Sequence, residues 1–169
     1  YENTKPYEDY FWKKNKIDLL FDHVDKIETG SKSLHLKSGN SIGYDTLIIA
    51  TGSRSNKFGW PGQDLQGVHC LYGYNDLLMI EADTKKANHA VSVGGGLIGI
   101  ELAEMLLSRN ISVTFLVREA DFWNNVLPLE EANLISRHVR SHHVDLRLLH
   151  ELQAIQADEG GCVKSVVTH

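Results

Sequence analysis

The sequence lacks the cysteine patterns that define several classes of protein. It has only two cysteines, Cys70 and Cys162, which are far apart in the chain and form no Cys-x-x-Cys motif. A disulfide framework, a zinc site and a local redox dithiol therefore have no support. The default interpretation is two reduced structural thiols in a cytoplasmic protein.

Positive charge and long hydrophobic runs are also scarce. The chain has 17 Lys and Arg residues against 22 Asp and Glu residues, a net charge of -5. Nucleic-acid binding needs clustered basic residues, so it is not expected. No apolar run reaches the roughly 20 residues of a membrane span, and the polar start predicts no signal peptide. The spacing of four histidines fits no metal-ligand set, so we expect no metal site: His138, His142, His143 and His150.

The pattern of the 169 residues changes near Lys86. We therefore predict two parts, residues 1–85 and residues 86–169. The chain does not begin with Met, which suggests a piece of a longer polypeptide.

The first part reads as mixed, with one helix at each end. Short alternating segments broken by glycines predict a three-stranded antiparallel meander over residues 24–44. A continuous apolar run over residues 45–52 predicts a strand buried on both faces. Two further strands and two helices complete this part: strands over 17–21 and 67–72, helices over 6–15 and 74–87.

The second part alternates strand and helix, which predicts a parallel sheet with right-handed crossovers. The fold class is therefore α/β, with a Rossmann-like parallel sheet and an antiparallel meander beside it. A hairpin with a turn at Gly160-Gly161 ends the chain. The predicted strands cover 90–93, 111–117 and 144–148, and the predicted helices run from the glycines to 108 and within 129–140. The first of these helices is predicted to bury one apolar stripe, formed by Ile98, Leu102, Met105 and Leu106.

Three adjacent glycines stand between the first strand and helix of the second part. Gly94-x-Gly96-x-x-Gly99 follows a predicted strand and opens a predicted helix, the context that makes this fingerprint specific. The first glycine permits a tight turn, the second lets a pyrophosphate approach the main chain, and the third lets the helix pack on the strand. The free N–H groups of the first helical turn then favour an anion. The alternative, a glycine-rich turn that only permits close packing, is disfavoured because every element is in register.

The end of the next strand bears on which nicotinamide dinucleotide binds. A carboxylate there would bind the ribose 2′-hydroxyl, but the chain has Val117 followed by Arg118. A guanidinium makes strong bidentate bonds to phosphate, which favours NADPH. The third glycine is instead typical of NADH-binding turns, so the two cues disagree, and we favour NADPH. The alternative for Arg118 is a solvated surface charge.

Three segments, in this order and spacing, resemble the FAD-dependent pyridine nucleotide-disulfide oxidoreductase superfamily. They are YDTLIIATGS, PG-x-x-L-x-GVH and GGGLIGIELAE, which begin at Tyr44, Pro61 and Gly94. The likeness is nearest to the branch without an active-site dithiol: rubredoxin or ferredoxin reductases and the large nitrite reductase subunit. The family's N-terminal FAD fingerprint and its later glycine-aspartate motif are not in this chain, which fits a fragment.

The resemblance implies that residues 1–85 are a partial FAD-binding domain, with the ATG strand and a linker helix, and that residues 86–169 are a partial NAD(P)-binding Rossmann domain. It also implies the residues that hold the two dinucleotide cofactors. For NAD(P)H the implied residues are Gly94, Gly95, Gly96, Leu97, Ile98, Gly99, Glu101, Val117 and Arg118; for FAD they are Val24, Ala50, Thr51 and Gly52. Glu101 matches an acidic residue near the flavin and nicotinamide rings in relatives. Its alternative role is a first-turn carboxylate that favours the helix dipole.

The function implied is transfer of hydride from NAD(P)H to FAD and on to an acceptor, with an electron-acceptor protein and a homodimer as partners. Hydride transfer needs no acid, base or nucleophile from the chain, so no catalytic residue is assigned. The alternative is a nucleotide-binding module, or isolated fragment, without turnover. Use of the glycine turn for FAD itself is disfavoured because the ATG segment precedes it.

Overall fold

The computed structural model describes residues 6–169, which divide into two compact units, Tyr1–Thr51 and Gly52–His169. The two predicted domains with a boundary after residue 85 stay a prediction. Among the described residues, no helix has the length and apolar character needed to cross a membrane.

The first unit contains one short helix and the predicted meander. Helix α1 covers Asp9–Lys14, and the antiparallel sheet has the order β1-β2-β3. Glycines and short polar turns separate the strands, as the sequence predicted, and the register pairs Ile27 with Leu34 and Leu34 with Ile42. The strands are β1 (Val24–Glu28), β2 (Ser33–Leu36) and β3 (Ser41–Gly43).

Three predicted strands are wrong: residues 17–21, 45–52 and 67–72 have no strand structure. In the first two segments the apolar side chains other than the half-buried Leu47 are exposed, with Phe21 at 92% and Ile48 at 84%. A strand forms only where a neighbour accepts and donates its main-chain hydrogen bonds. Within the described residues no strand pairs with these segments. Apolar composition without a pairing partner therefore leaves them irregular.

A parallel sheet organises the second unit. Its order is β4-β5-β6, and α3 and α4 follow β4 and β5 along the chain. This alternation confirms the predicted α/β class, with three parallel strands in one sheet. The elements are β4 (His89–Val93), α3 (Leu97–Leu107), β5 (Ser112–Val117), α4 (Leu129–Ser141) and β6 (Asp145–Leu148).

The core lies on one face of this sheet. Val113, Phe115 and Val117 alternate along β5 and are at most 1% exposed. They form one cluster with Ala103 and Leu106 of α3 and with residues of α4 and β6. The buried face of α3 is Gly99, Ala103 and Leu106, a spacing of four and three residues that places them on one stripe.

The remaining elements of this unit are helix α2 (Tyr74–Thr84) and a hairpin, β7 (Leu152–Ala157) and β8 (Val163–Thr168). The loop with the Pro-Gly dipeptide packs on the hairpin, because Ile155 N donates to Pro61 O at 2.8 Å. A Cβ at Gly62 would lie 2.1 Å from the Ile155 carbonyl oxygen. Only glycine fits there, which gives this part of the motif a packing role.

Polar side chains cross the opposite face of the parallel sheet. His89 Nδ1 lies 2.7 Å from Ser112 Oγ, and its Nε2 lies 3.2 Å from Thr114 Oγ1. Thr114 then donates to Asp145, which also accepts from Arg147 at 2.9 Å. The three strands are thus joined by side chains as well as by main-chain hydrogen bonds.

We predict that Asp145 makes stability depend on pH. The hydrogen bond from Arg147 lowers the pKa of Asp145 below its usual value near 3.8, and the Thr114 hydroxyl lowers it further. A carboxylate with a lowered pKa stabilises the fold above its ordinary pKa, and this contribution disappears as the pH falls through the folded-state value. The free-energy advantage of the wild type over Asp145→Asn should therefore be full at neutral pH and shrink below about pH 4.

Urea unfolding of both proteins between neutral and acidic pH measures this difference. Because half of the Asp145 side chain is exposed, we expect at most about 1 kcal/mol. Replacing Asp145 in an Arg147→Met background should remove most of the pH dependence. An advantage that stays constant through the acidic range would contradict the role of Asp145.

Candidate dinucleotide-binding site

The glycine turn connects β4 to α3, and each fingerprint glycine has a distinct geometry. Gly94 has a φ of 107°, in the left-handed region that favours glycine. Gly96 is the N-cap of α3, and a Cβ there would have no atom within 4 Å. A Cβ at Gly99 would lie 2.7 Å from both the Gly94 carbonyl oxygen and Phe115 Cζ. The turn therefore combines a strained bend, an open position and a tightly packed one.

The open position lies next to free main-chain donors. Among residues 6–169, no acceptor is recorded for the amides of Leu97, Ile98 and Gly99, and no side chain caps the helix. Such groups carry the partial positive charge of a helix start and bind anions. The turn thus offers several N–H groups next to a position, Gly96, where the space beside the main chain is open.

Leu97 and Ile98 expose their side chains at this end of the helix, at 58% and 57%. The sequence had predicted Ile98 on the buried stripe of α3, and that prediction is wrong. The buried stripe is shifted by one residue because Gly99, not Ile98, faces Phe115. Ile98 is therefore free to flank a ligand with an apolar surface.

Gly95 and Val117 contact each other below the turn. A Cβ at Gly95 would lie 2.9 Å from Val117 Cγ1, and Val117 is 0% exposed. Val117 is the last residue of β5, as expected, but its side chain belongs to the core. Of the two residues at the strand end, only Arg118 presents a side chain to solvent.

Arg118 follows β5 at the carboxyl edge of the sheet, with its side chain 70% exposed. Its Nε donates to Glu119 Oε1 at 2.9 Å, and the charge of Glu151 also acts on it. These carboxylates raise the pKa of Arg118, which remains a cation. The main chain around it is fixed, since His150 N donates to Val117 O and Leu149 N to Glu119 O. The pairing with Glu119 was not predicted and could have been suspected only from the adjacent carboxylate.

Glu101 lies just beyond the first turn of α3. Helix α3 begins at Leu97 and has no acidic residue in its first turn, so the alternative role for Glu101 at the helix dipole is wrong. Its carboxylate is exposed and has no recorded partner among the described residues. It is an unpaired charge on the helix that follows the glycine turn.

The residues expected to line FAD are on the surface of the described structure. Val24 begins β1 with 41% exposure, and Ala50, Thr51 and Gly52 are exposed in an irregular segment. Gly52 has a φ of 74°, and Ser53 N, next to it, donates to the hydroxyl of Tyr72 at 2.9 Å. Sequence reasoning did not identify Tyr72. Within residues 6–169, no group of three or more His, Cys, Asp and Glu side chains could hold a metal ion.

We predict that Gly99 and Gly96 respond differently to alanine. Gly99→Ala should lower the free energy of unfolding by about 1–3 kcal/mol, despite the higher helix propensity of alanine, because its methyl group meets backbone and an aromatic ring. Gly96→Ala should change it by less than about 1 kcal/mol, since the position is open. Denaturant unfolding of both variants measures the difference, and equal losses would contradict the assigned roles.

Comparison with known proteins places this geometry in context. The family model described as pyridine nucleotide-disulphide oxidoreductase matches residues 5–169. The NADH-rubredoxin oxidoreductase of Clostridium acetobutylicum is 37% identical over 99 residues, which are 59% of this chain and 26% of that protein. The chain spans about a quarter to a third of the length of the curated relatives first matched.

Solved structures share the fold. A ferredoxin reductase from Rhodopseudomonas palustris superposes with a TM-score of 0.89 at 23% identity, over 96% of this chain and 40% of that one. An engineered NADPH oxidase bound to NADPH, made from the NADH oxidase of Lactobacillus brevis, gives 0.84 at 21% identity, over 99% and 38%. With the family model matched along almost its whole length, this chain belongs to the pyridine nucleotide-disulphide oxidoreductase family.

Proposed function

We propose that this chain is part of a flavin-dependent oxidoreductase that passes hydride from NADPH to FAD and on to an acceptor. The observation that carries the proposal is the glycine turn at the start of α3, with free amides at Leu97, Ile98 and Gly99. When bound, the nicotinamide dinucleotide supplies a hydride and the flavin accepts it. The chain's own residues bind and orient these groups.

The glycine turn fits the pyrophosphate of NADPH. The open space at Gly96 admits a phosphate to the main chain, and the amides after it donate to its oxygens. Leu97 and Ile98 present exposed apolar side chains beside this space, and Glu101 is an unpaired carboxylate on the same helix. We assign these residues, with Gly94, Gly95 and Gly99, to the NADPH site.

Arg118 supports the choice of NADPH over NADH. It is exposed and charged at the carboxyl edge of the sheet, where a guanidinium accommodates a 2′-phosphate. Val117 contributes only its main chain and packing, because its side chain is buried. Gly99 is typical of NADH-binding turns, but it does not argue against NADPH, because packing against Gly94 and Phe115 already requires glycine there.

The engineered oxidase gives a precedent for this chemistry. The five substitutions in that NADPH-bound protein include an aspartate exchanged for alanine and, at the next position, an alanine exchanged for arginine. Val117 followed by Arg118 presents the same combination, an uncharged residue and then an arginine.

For FAD we assign Val24, Ala50, Thr51 and Gly52, on the ATG segment and the start of the meander. The acceptor is proposed to be a small redox protein, as in the names of the rubredoxin and ferredoxin reductases among the relatives. A cytoplasmic location is supported by two free thiols. The homodimer stays a prediction.

Calorimetric titration with NADPH, NADH and FAD tests the proposal, together with the flavin absorbance of the purified protein. Binding of NADPH with bound or bindable flavin supports the oxidoreductase. NADPH binding without any affinity for flavin supports the second candidate, a nucleotide-binding module without turnover. The exposure of Ile48 and Ile49 favours this candidate, because the segment beside the ATG residues then encloses no flavin. Absence of binding to either nicotinamide dinucleotide contradicts both.

We predict that Arg118→Met weakens NADPH binding about 10- to 100-fold and leaves NADH binding within about twofold. The loss is that of a charge-assisted hydrogen bond to phosphate, about 1.5–3 kcal/mol. Replacing Val117 with an acid is a poorer test, because the carboxylate would enter the core.

Glu119→Gln serves as the opposing variant. It removes the charge that holds Arg118 Nε and leaves the length of the side chain unchanged. NADPH affinity should therefore rise by a few fold while NADH affinity changes little. Isothermal titration of the three proteins with both dinucleotides decides the point, and equal losses of NADPH and NADH affinity in Arg118→Met would reject a 2′-phosphate contact.

A further inference from the structure

The hydroxyl of Tyr72 holds the main chain directly after Gly52. Ser53 N donates to it at 2.9 Å. The donation from the Ser53 amide, the larger effect, and that from the Ser53 side chain lower the pKa of the Tyr72 phenol. The phenol oxygen thus fixes the main chain at Ser53.

Tyr72 is itself fixed at the start of α2. Its amide donates to Asp76 Oδ2 at 2.9 Å, and the amide of Gly73, the N-cap, donates to the same oxygen at 2.8 Å. These two hydrogen bonds lower the pKa of Asp76, the one from Gly73 most. An ionised residue at the third helical position that binds the N-cap amide is half of a capping box. The phenol is therefore attached to a regular element rather than to a mobile loop.

The same oxygen occupies the space beside Gly52. A Cβ at Gly52 would lie 2.8 Å from the Tyr72 hydroxyl oxygen, and the φ of Gly52 is 74°. Residue 52 thus has two reasons to be glycine, the left-handed backbone and the phenol against it. The bend at Gly52 and the hydrogen bond at Ser53 form one local arrangement.

We propose that Tyr72 is a positioning residue for flavin binding. Its side chain connects the capped start of α2 to Gly52 and Ser53, and it thereby sets the main-chain conformation at the end of the ATG segment. The role rests on the proposed function, in which Ala50, Thr51 and Gly52 line FAD. Tyr72 acts through the main chain of Gly52 and Ser53. A shift of this segment would misplace the groups that meet the flavin dinucleotide.

Tyr72→Phe tests the role because it removes the oxygen and keeps the ring. Loss of one hydrogen bond should accelerate amide exchange at Ser53 about five- to tenfold. Exchange at Ile155, whose amide donates to Pro61 in the same unit, should not change. This reference amide separates a local change from general loss of stability. Tyr10→Phe, at an exposed tyrosine of α1, is the matched control and should alter neither amide.

Titration with FAD completes the test, with an expected loss of affinity of about tenfold in Tyr72→Phe and none in Tyr10→Phe. A wild type that binds FAD with an affinity unchanged by Tyr72→Phe overturns the role of Tyr72 alone. Unchanged exchange at Ser53 overturns it as well. A wild type without affinity for FAD overturns the flavin part of the proposed function and, with it, the role of Tyr72.

A double-substitution cycle gives a second readout. Gly52→Ala should cost less FAD affinity in the Tyr72→Phe background than in the wild type, because the oxygen that the new methyl group meets is gone. Residues in contact couple in this way, whereas independent ones add. Additive losses would overturn the direct contact between the two positions.

Discussion

The close approach of α3 to the parallel sheet is the constraint on which the rest of this site depends. At Gly99 the helix lies so near the Gly94 carbonyl and the Phe115 ring that a methyl group has no room. This contact places the first turn of the helix directly after the strand. The free amides of that turn consequently open at the carboxyl edge of the sheet, where ligands of such folds bind.

Burial on the core face of the sheet decides which residues can select a ligand. Val117 is the last residue of β5 and is buried beneath Gly95. The end of the strand therefore has no side chain that can contact a ligand. The next residue, Arg118, is the first to reach solvent, and Glu119 holds it in place. The positive charge of Arg118 therefore reaches solvent because the buried core ends at Val117, one residue earlier.

Opposite charges share this edge of the sheet. The helix start is positive through its amides and Arg118 adds a full charge, while Glu119 and Glu151 act on that guanidinium. A phosphate that binds Arg118 must compete with Glu119. The carboxylates thus reduce the general attraction of this edge for anions.

The sequence by itself determined the parts of the fold whose signals are local. The glycine fingerprint, the meander turns, the α/β alternation and the final hairpin depend on neighbouring residues, and all were predicted close to their observed bounds. The continuous apolar run over residues 45–52 was misread, because a strand requires a partner that composition does not supply. Only tertiary structure decided that Gly99 faces Phe115, that Arg118 pairs with Glu119 and that Tyr72 holds Ser53. The third glycine and the adjacent carboxylate only suggested the first two contacts. Helix phase, side-chain rotamers and the approach of residues distant in the chain decide all three, and these are properties of the folded chain.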